Sequence, residues 1–121
     1  MDIALPYGDR TVSWSLDDAR RARLLELGYR PGLLDVPGAV QKALREPLAG
    51  PSLSEAVRVK GAQESLVLVS DITRAVPYHD VLPTLVAELE AAGLSPSRIA
   101  FLIAGGAHRA HTDQENARLY G

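Results

Sequence analysis

An apolar run at residues 66–69 stops abruptly at a polar cluster, residues 70–74, and constrains the fold more than any other feature. A short apolar run bounded by turn-forming residues is typical of a strand buried in a parallel sheet. Ligands of such open sheets bind beyond the carboxyl ends of the strands. The cluster contains an acid, two hydroxyls and an arginine, which together can bind a phosphate or a carboxylate. The sequence therefore predicts a ligand site where this strand ends.

A helix and a second strand are predicted after this cluster. The apolar positions recur at helical spacing: Val81, Leu82, Leu85, Val86 and Leu89. We expect Asp80 to cap this helix, Pro83 to lie in its first turn and Gly93 to end it. Residues 99–103 form another apolar run. Strand, helix and strand in this order indicate an α/β fold with a Rossmann-like βαβ unit, whose two strands are parallel.

The upstream half of the chain predicts a hairpin and an irregular connector. Residues 2–16 contain a turn cluster followed by strict alternation, with Val12, Trp14 and Leu16 on one half-buried face. Residues 17–60 are rich in proline and glycine. Short helices are expected there over residues 17–27, 37–45 and from a cap at residue 52 to about residue 57. Residues 65–121 are then expected to form a βαβα unit, and two parallel strands with a hairpin make so small a sheet that we expect the chain to be part of a larger α/β domain.

Composition narrows the class of protein. The chain has 121 residues, of which 46% are hydrophobic and 23% charged, as in a small soluble globular domain. A net charge of -2 gives no basic surface for nucleic acid or an anionic membrane. The lack of cysteine excludes disulfides and thiolate metal sites. We expect a cytoplasmic location, because no signal-like segment or membrane-length apolar run is present.

A second polar loop, residues 104–112, follows the second strand. It contains Gly105 and Gly106, which would let a ligand approach the backbone, and then His108 and Arg109. A capping-box spacing at residues 112–115 predicts a helix from about residue 113, whose amino terminus favours an anion. Because parallel strands end at the same edge of a sheet, both loops should face one site.

Each candidate also has a simpler interpretation. Asp71 and Arg74 could form a mutual salt bridge, and His108 could be an ordinary loop histidine. A histidine suits proton transfer near neutral pH. A metal pair of His108 and His111 is not favoured, because no carboxylate or third histidine is placed beside them. From the residues alone, the prediction is a small-anion site with one acid/base candidate.

Three motifs resemble the amino-terminal region of the lactate racemase family. They are Leu-Pro-Tyr-Gly at residues 5–8, Val-Ser-Asp-Ile-Thr-Arg-Ala-Val-Pro at residues 69–77, and Ile-Ala-Gly-Gly-Ala-His-Arg at residues 103–109, followed by Thr112 and Glu115. Their order is that of the family, and they cover nearly the whole chain.

The resemblance implies an isomerase that racemises or epimerises 2-hydroxy acids through a nickel-pincer cofactor, a pyridinium mononucleotide tethered to a lysine. Proton and hydride transfer would occur at C2 of the substrate. By the same resemblance, His108 and Arg74 would be catalytic, and Arg74 and Arg109 would bind substrate. Cofactor contacts would come from residues of both loops: Ser70, Asp71, Thr73, Gly105 and Gly106. No metal ligand is implied within this chain.

The resemblance also implies that residues 1–121 form an incomplete amino-terminal α/β domain. In the family, the tethering lysine, the second histidine and the nickel-binding histidine lie beyond the position of Gly121. We therefore expect the remainder of a parent polypeptide as partner, no activity and no bound cofactor for this piece alone, and possible self-association through exposed strand edges. Gly105 and Ala107 depart from the family pattern, which leaves the substrate open. The alternative is a non-catalytic module that binds a phosphate or carboxylate metabolite.

Overall fold

The computed structural model describes residues 2–17, 23, 25 and 27–121. The chain divides into two compact units, Met1–Pro31 and Gly32–Gly121. The helix predicted over residues 17–27 falls mainly outside the described residues. No helix in the described part of the chain is long and apolar enough to cross a bilayer.

The first unit contains the predicted hairpin. Strands β1 (Asp2–Tyr7) and β2 (Arg10–Ser15) pair antiparallel through a turn in which Gly8 has a φ of 62°. Glycine adopts this left-handed conformation without steric cost. The half-buried face was predicted wrongly for Val12 and Trp14, which are 46% and 53% exposed. A hairpin of two strands has no second layer of its own against which to bury them.

The second unit contains the predicted parallel βαβ arrangement, which confirms the α/β class. Strands β3 (Ser65–Ser70) and β4 (Ile99–Ala104) pair in parallel, from Ser65 opposite Ile99 to Ser70 opposite Ala104. Their carboxyl ends therefore coincide, as the site prediction requires.

A long helix connects these strands. Helix α3 (Tyr78–Ala91) ends as predicted, with Ala92 as its cap and Gly93 at a φ of 103°. The prediction of Asp80 as cap was wrong, because the helix begins earlier and has no side-chain cap. For the same reason Pro83 lies inside the helix and not in its first turn. There it removes one backbone donor, which weakens the helix locally.

The core lies between the sheet and its helices. Val69, Tyr78 and Leu82 are its buried centre, with exposed fractions of 2%, 7% and 7%. Partly buried side chains surround them: Val67, Leu85, Ile103 and Tyr120. Tyr120 comes from helix α4 (Asp113–Tyr120), which begins at the predicted capping box.

Two short helices precede the sheet and pack against α3. Helix α1 (Val36–Arg45) matches its prediction, and α2 (Leu53–Lys60) runs three residues beyond its predicted end. Gly61, in the left-handed conformation, ends α2. Arg45 of α1 forms a two-point ion pair with Glu88 of α3, with N–O distances of 3.0 and 2.7 Å. This pair lowers the pKa of Glu88 and fastens α1 to the helix behind the sheet.

The opposite face of the parallel sheet is bare in the second unit. Alternation along the strands turns Leu66, Leu68 and Leu102 away from the core, and they are 61%, 66% and 53% exposed. Parallel sheets are normally covered on both faces. This surface, here called the outer face, lacks a covering layer among the described residues of this unit.

Candidate functional site

Two loops meet at the carboxyl ends of β3 and β4. A turn closes each loop: Arg74 N–H donates to the Asp71 carbonyl at 3.1 Å, and His108 N–H donates to the Gly105 carbonyl at 3.0 Å. Between the loops lies a cavity of about 330 Å³. It is lined by Ser70, Asp71, Arg74, Ala104, Gly105, Gly106, Ala107 and His108.

Asp71 and His108 form the centre of this site. Asp71 is 4% exposed, and its Oδ2 contacts the Nδ1 atom of His108. Its Oδ1 accepts hydrogen bonds from the Thr73 hydroxyl at 2.6 Å and from the Thr73 amide at 3.1 Å. The Thr73 hydroxyl and then His108 lower the pKa of Asp71 to about 2. Asp71 is therefore a carboxylate at neutral pH, and it accepts a hydrogen bond from the N–H group at Nδ1.

This pairing determines what His108 can do. Because Nδ1 of His108 donates to Asp71, the other ring nitrogen, Nε2, is available to accept or return a proton. The His108 side chain is 55% exposed, so a ligand can reach it. A buried carboxylate that orients a reachable imidazole is the arrangement of a general acid/base.

Arg74 supplies a positive charge to the same cavity. Within the described residues, its guanidinium has neither an ion pair nor a hydrogen-bond partner. The mutual salt bridge considered for Asp71 and Arg74 is absent there, since Asp71 pairs with His108 instead. An unpaired guanidinium beside a histidine can bind a carboxylate in two-point fashion.

The two glycines form the wall of the cavity. Gly106 has a φ of 57°, which a residue with a side chain rarely adopts. A Cβ atom at either Gly105 or Gly106 would meet no heavy atom within 4 Å. Glycine is therefore required at Gly106 by the backbone conformation and not by a lack of space. The predicted contact of both residues with a cofactor stays a prediction.

Arg109 lies in a different environment from Arg74. Its two terminal nitrogens donate to the carboxylate of Glu115 at 2.9 and 2.7 Å. Glu115 also belongs to the capping box with Thr112 at the start of α4. Arg109 holds the pKa of Glu115 well below its usual range. The role predicted for Arg109, substrate binding, would have to compete with this ion pair.

Three further residues that the sequence did not single out for the site hold the loops in place. The Ser70 amide donates to the Tyr78 hydroxyl, and the Tyr120 hydroxyl donates to the Ser70 carbonyl at 2.8 Å. The Ile72 amide donates to Nε2 of His111 at 3.1 Å. These partners are up to 50 positions apart. Sequence spacing carries no signal for such pairs, although tyrosines beside a predicted core are reasonable candidates.

The described residues contain no group of three or more His, Cys, Asp or Glu side chains that could hold a metal ion. The ring nitrogens of His111 are both hydrogen-bonded, one to the Ile72 amide and one to Asn116. His108 has one nitrogen on Asp71. What this site offers is an acid/base, a cation and an open backbone.

Comparison with known proteins finds similar chains. The family model described as the lactate racemase N-terminal domain matches residues 7–121. The chain is 33% identical over 121 residues to a lactate racemase of Lactiplantibacillus plantarum, and 30% identical over 122 residues to a lactate racemase of Thermoanaerobacterium thermosaccharolyticum. These alignments cover 98% and 99% of this chain. The chain spans 28% of the length of each relative.

Proposed function

The chain belongs to the lactate racemase N-terminal domain family, as its motifs predicted, and from that premise we propose that it provides part of the active site of a 2-hydroxyacid racemase or epimerase. One observation carries the proposal. The Asp71–His108 pair and the unpaired Arg74 face one cavity at the carboxyl edge of the sheet. That set contains the groups which a 2-hydroxy acid needs at its hydroxyl and its carboxylate.

Each residue has a defined task in this mechanism. Arg74 binds the substrate carboxylate and thereby fixes the position of C2. His108 accepts the hydroxyl proton through Nε2 when the alcohol is oxidised, and returns it when the ketone is reduced. Asp71 stays ionised throughout, holds the Nδ1 proton and stabilises the imidazolium that forms. Racemisation requires that the hydrogen at C2 return to either face.

A hydride acceptor must come from outside these side chains, and the family implies a nickel-pincer pyridinium mononucleotide. When bound, this group would accept the C2 hydride and give it back. The residues present suit one part of this group. The open backbone at Gly105 and Gly106, with the Ser70 hydroxyl, suits a phosphate on the cavity wall. No set of metal ligands is present in the described part of the chain. We therefore propose that this chain supplies the phosphate contact.

We also propose that the active protein is a longer polypeptide and that this chain alone does not racemise its substrate. The relatives are several times longer than the chain. In the longer protein, a layer supplied by the remaining polypeptide would cover the outer face of the sheet. Self-association through strand edges is the competing arrangement, since an unpaired strand edge invites pairing. Sedimentation of the 121-residue chain distinguishes them, because a stable monomer contradicts self-association.

The test of function is racemisation of each lactate enantiomer by the longer polypeptide with its cofactor supplied. His108→Ala should lower kcat by about 10²- to 10⁴-fold, the usual contribution of a general acid/base. Arg74→Lys keeps the charge but loses two-point binding, so KM should rise. His79→Gln is the matched control, because His79 contacts the Arg118 carbonyl and does not line the cavity.

The alternative function, a module that binds a carboxylate or phosphate metabolite without catalysis, gives a different result. It is favoured by the unpaired Arg74 beside the open glycines. In that case the wild-type polypeptide binds lactate or inorganic phosphate, Arg74→Ala abolishes binding, and no racemisation occurs with the cofactor present. Unchanged racemisation in His108→Ala would overturn the assignment of His108.

A further inference from the structure

We propose that His111 is a positioning residue, which fixes the loop of Asp71 and Arg74 relative to the loop of His108. This proposal rests on the proposed function for its kinetic consequence only. The observation behind it is a hydrogen bond from one loop to a side chain of the other. The Ile72 amide, directly after Asp71, donates to Nε2 of His111 at 3.1 Å.

The contacts of His111 define its tautomer. A backbone amide can only donate, so Nε2 of His111 must be unprotonated to accept from Ile72. The proton of the neutral ring then lies on Nδ1. That atom is 3.1 Å from Oδ1 of Asn116, which can accept it. Both ring nitrogens are satisfied only in this tautomer, in which the ring is neutral.

The ring is also anchored to helix α4. Asn116 belongs to this helix, and so does Tyr120, whose ring stacks on His111 at a centroid distance of 6.3 Å and an interplanar angle of 18°. Tyr120 in turn donates to the carbonyl of Ser70, the last residue of β3. A half-buried imidazole thus joins the strand end, the loop after it and the helix after the second loop.

This location explains why the contact matters for catalysis. His111 binds the amide between Asp71, which orients His108, and Thr73, which orders the Asp71 carboxylate. Displacement of the Ile72 amide would move Asp71 away from His108 and would move Arg74 with the same loop. Misplacement of reacting groups by about 1 Å can lower a rate by about 10²-fold. His111 therefore acts through other residues and need not touch the substrate.

Two substitutions of His111 separate the contribution of its ring from that of its hydrogen-bond acceptor. His111→Phe keeps a ring that can stack on Tyr120 but has no acceptor for the Ile72 amide. His111→Gln places a carbonyl oxygen near the position of Nε2 and restores an acceptor on a flexible side chain.

The first measurement is made on the 121-residue chain and needs no activity. Ring ¹⁵N spectra of His111 should show Nε2 unprotonated and Nδ1 protonated. In His111→Phe, hydrogen exchange of the Ile72 amide should quicken by about tenfold, and the His108 ring signals should shift; His111→Gln should restore both in part. A proton on Nε2 of wild-type His111, or unchanged Ile72 exchange in His111→Phe, overturns the proposal.

The second measurement uses the longer polypeptide with cofactor. His111→Phe should lower kcat by at least about tenfold and change KM less, because Arg74 moves with its loop but can still bind the carboxylate, whereas His108 is no longer aligned with the substrate. His111→Gln should recover part of the rate. Loss of rate without recovery in a folded Gln variant contradicts positioning. If the wild type shows no racemisation, the proposed function fails, and the ring and exchange data still decide the role of His111.

Discussion

The carboxyl edge and the outer face belong to the same small parallel sheet. They differ sharply in how many of their groups contact a partner within the described chain. At the edge, tyrosine hydroxyls hold both backbone groups of Ser70, and Asp71 has partners on both carboxylate oxygens. On the outer face, Leu66 and Leu68 are 61% and 66% exposed. At the edge, the Ser70 backbone and the Asp71 carboxylate are paired, whereas on the outer face the apolar side chains are uncovered.

This difference indicates that the groups for acid/base chemistry and the groups that stabilise the fold lie in different regions of the sheet. The groups that orient His108 come from this chain, so the acid/base pair is preorganised by contacts within the second unit. Among the described residues of the second unit, the buried hydrophobic cluster lies on one side of the sheet and is small. A two-layer core of this size gives a marginal fold. We therefore expect mutations in the core to destabilise the fold more than mutations at the edge.

The largest effect on stability should come from removing a buried side chain on the side of the sheet that the helices cover. Leu82→Ala removes a side chain that is 7% exposed and packs on Val69, and it should lower the free energy of unfolding by about 2 to 5 kcal/mol. Urea unfolding followed by far-UV circular dichroism measures this. Leu48→Ala is the control, because Leu48 is fully exposed and the change should be nearly neutral. A cost well below 1 kcal/mol for Leu82→Ala would mean that this core does not hold the fold.

The next effect tests the edge. Tyr120→Phe removes the donor to the Ser70 carbonyl and should cost about 1 to 3 kcal/mol if that group stays buried and unpaired. Burial raises the pKa of Tyr120, so its hydroxyl stays protonated and able to donate at neutral pH. Tyr29→Phe is the matched control at a side chain that is 91% exposed. Equal costs for the two variants would refute a special role for the strand end.

Sequence alone predicted what depends on local pattern. The parallel strands, the capping box of α4 and the stop at Gly93 follow from periodicity and turn chemistry, and the structure confirms them. The start of α3 was wrong. Its cap was assigned to Asp80, a residue type that often caps helices, but tertiary packing of Tyr78 in the core draws the helix start upstream.

Within the candidate site, sequence placed His108 and Arg74 on neighbouring loops, because parallel strands end together. The family resemblance assigned Asp71 to the cofactor, which stays a prediction, and it did not predict the pairing of the Asp71 carboxylate with His108. From the residues alone, His111 had no role beyond a disfavoured metal pair. Side-chain pairing between distant loops depends on rotamers and loop conformation, which residue spacing does not encode.

A pH titration tests the hydrogen bonds of the Asp71 carboxylate at the carboxyl edge. The folded-state pKa of Asp71 is lowered to about 2, so its contribution to stability is present above the unfolded pKa near 4 and is lost as pH falls towards 2. Carboxyl ¹³C shifts should follow this titration residue by residue. Thr73→Val removes the largest cause and should raise the pKa of Asp71. Glu115 also has a lowered pKa, so acid unfolding alone would not identify Asp71.

The smallest effect should occur on the outer face. Leu68→Ser replaces a side chain that is 66% exposed, so in the 121-residue chain the free energy of unfolding should change by no more than about 0.5 kcal/mol. In the longer polypeptide the same substitution should cost more than 1 kcal/mol, because a covering layer would bury this position. Equal, small costs in both proteins would leave the face uncovered and contradict the proposed layer. A large cost in the 121-residue chain, together with a dimer in sedimentation, would instead assign the cover to a second copy, because a dimer could bury Leu68.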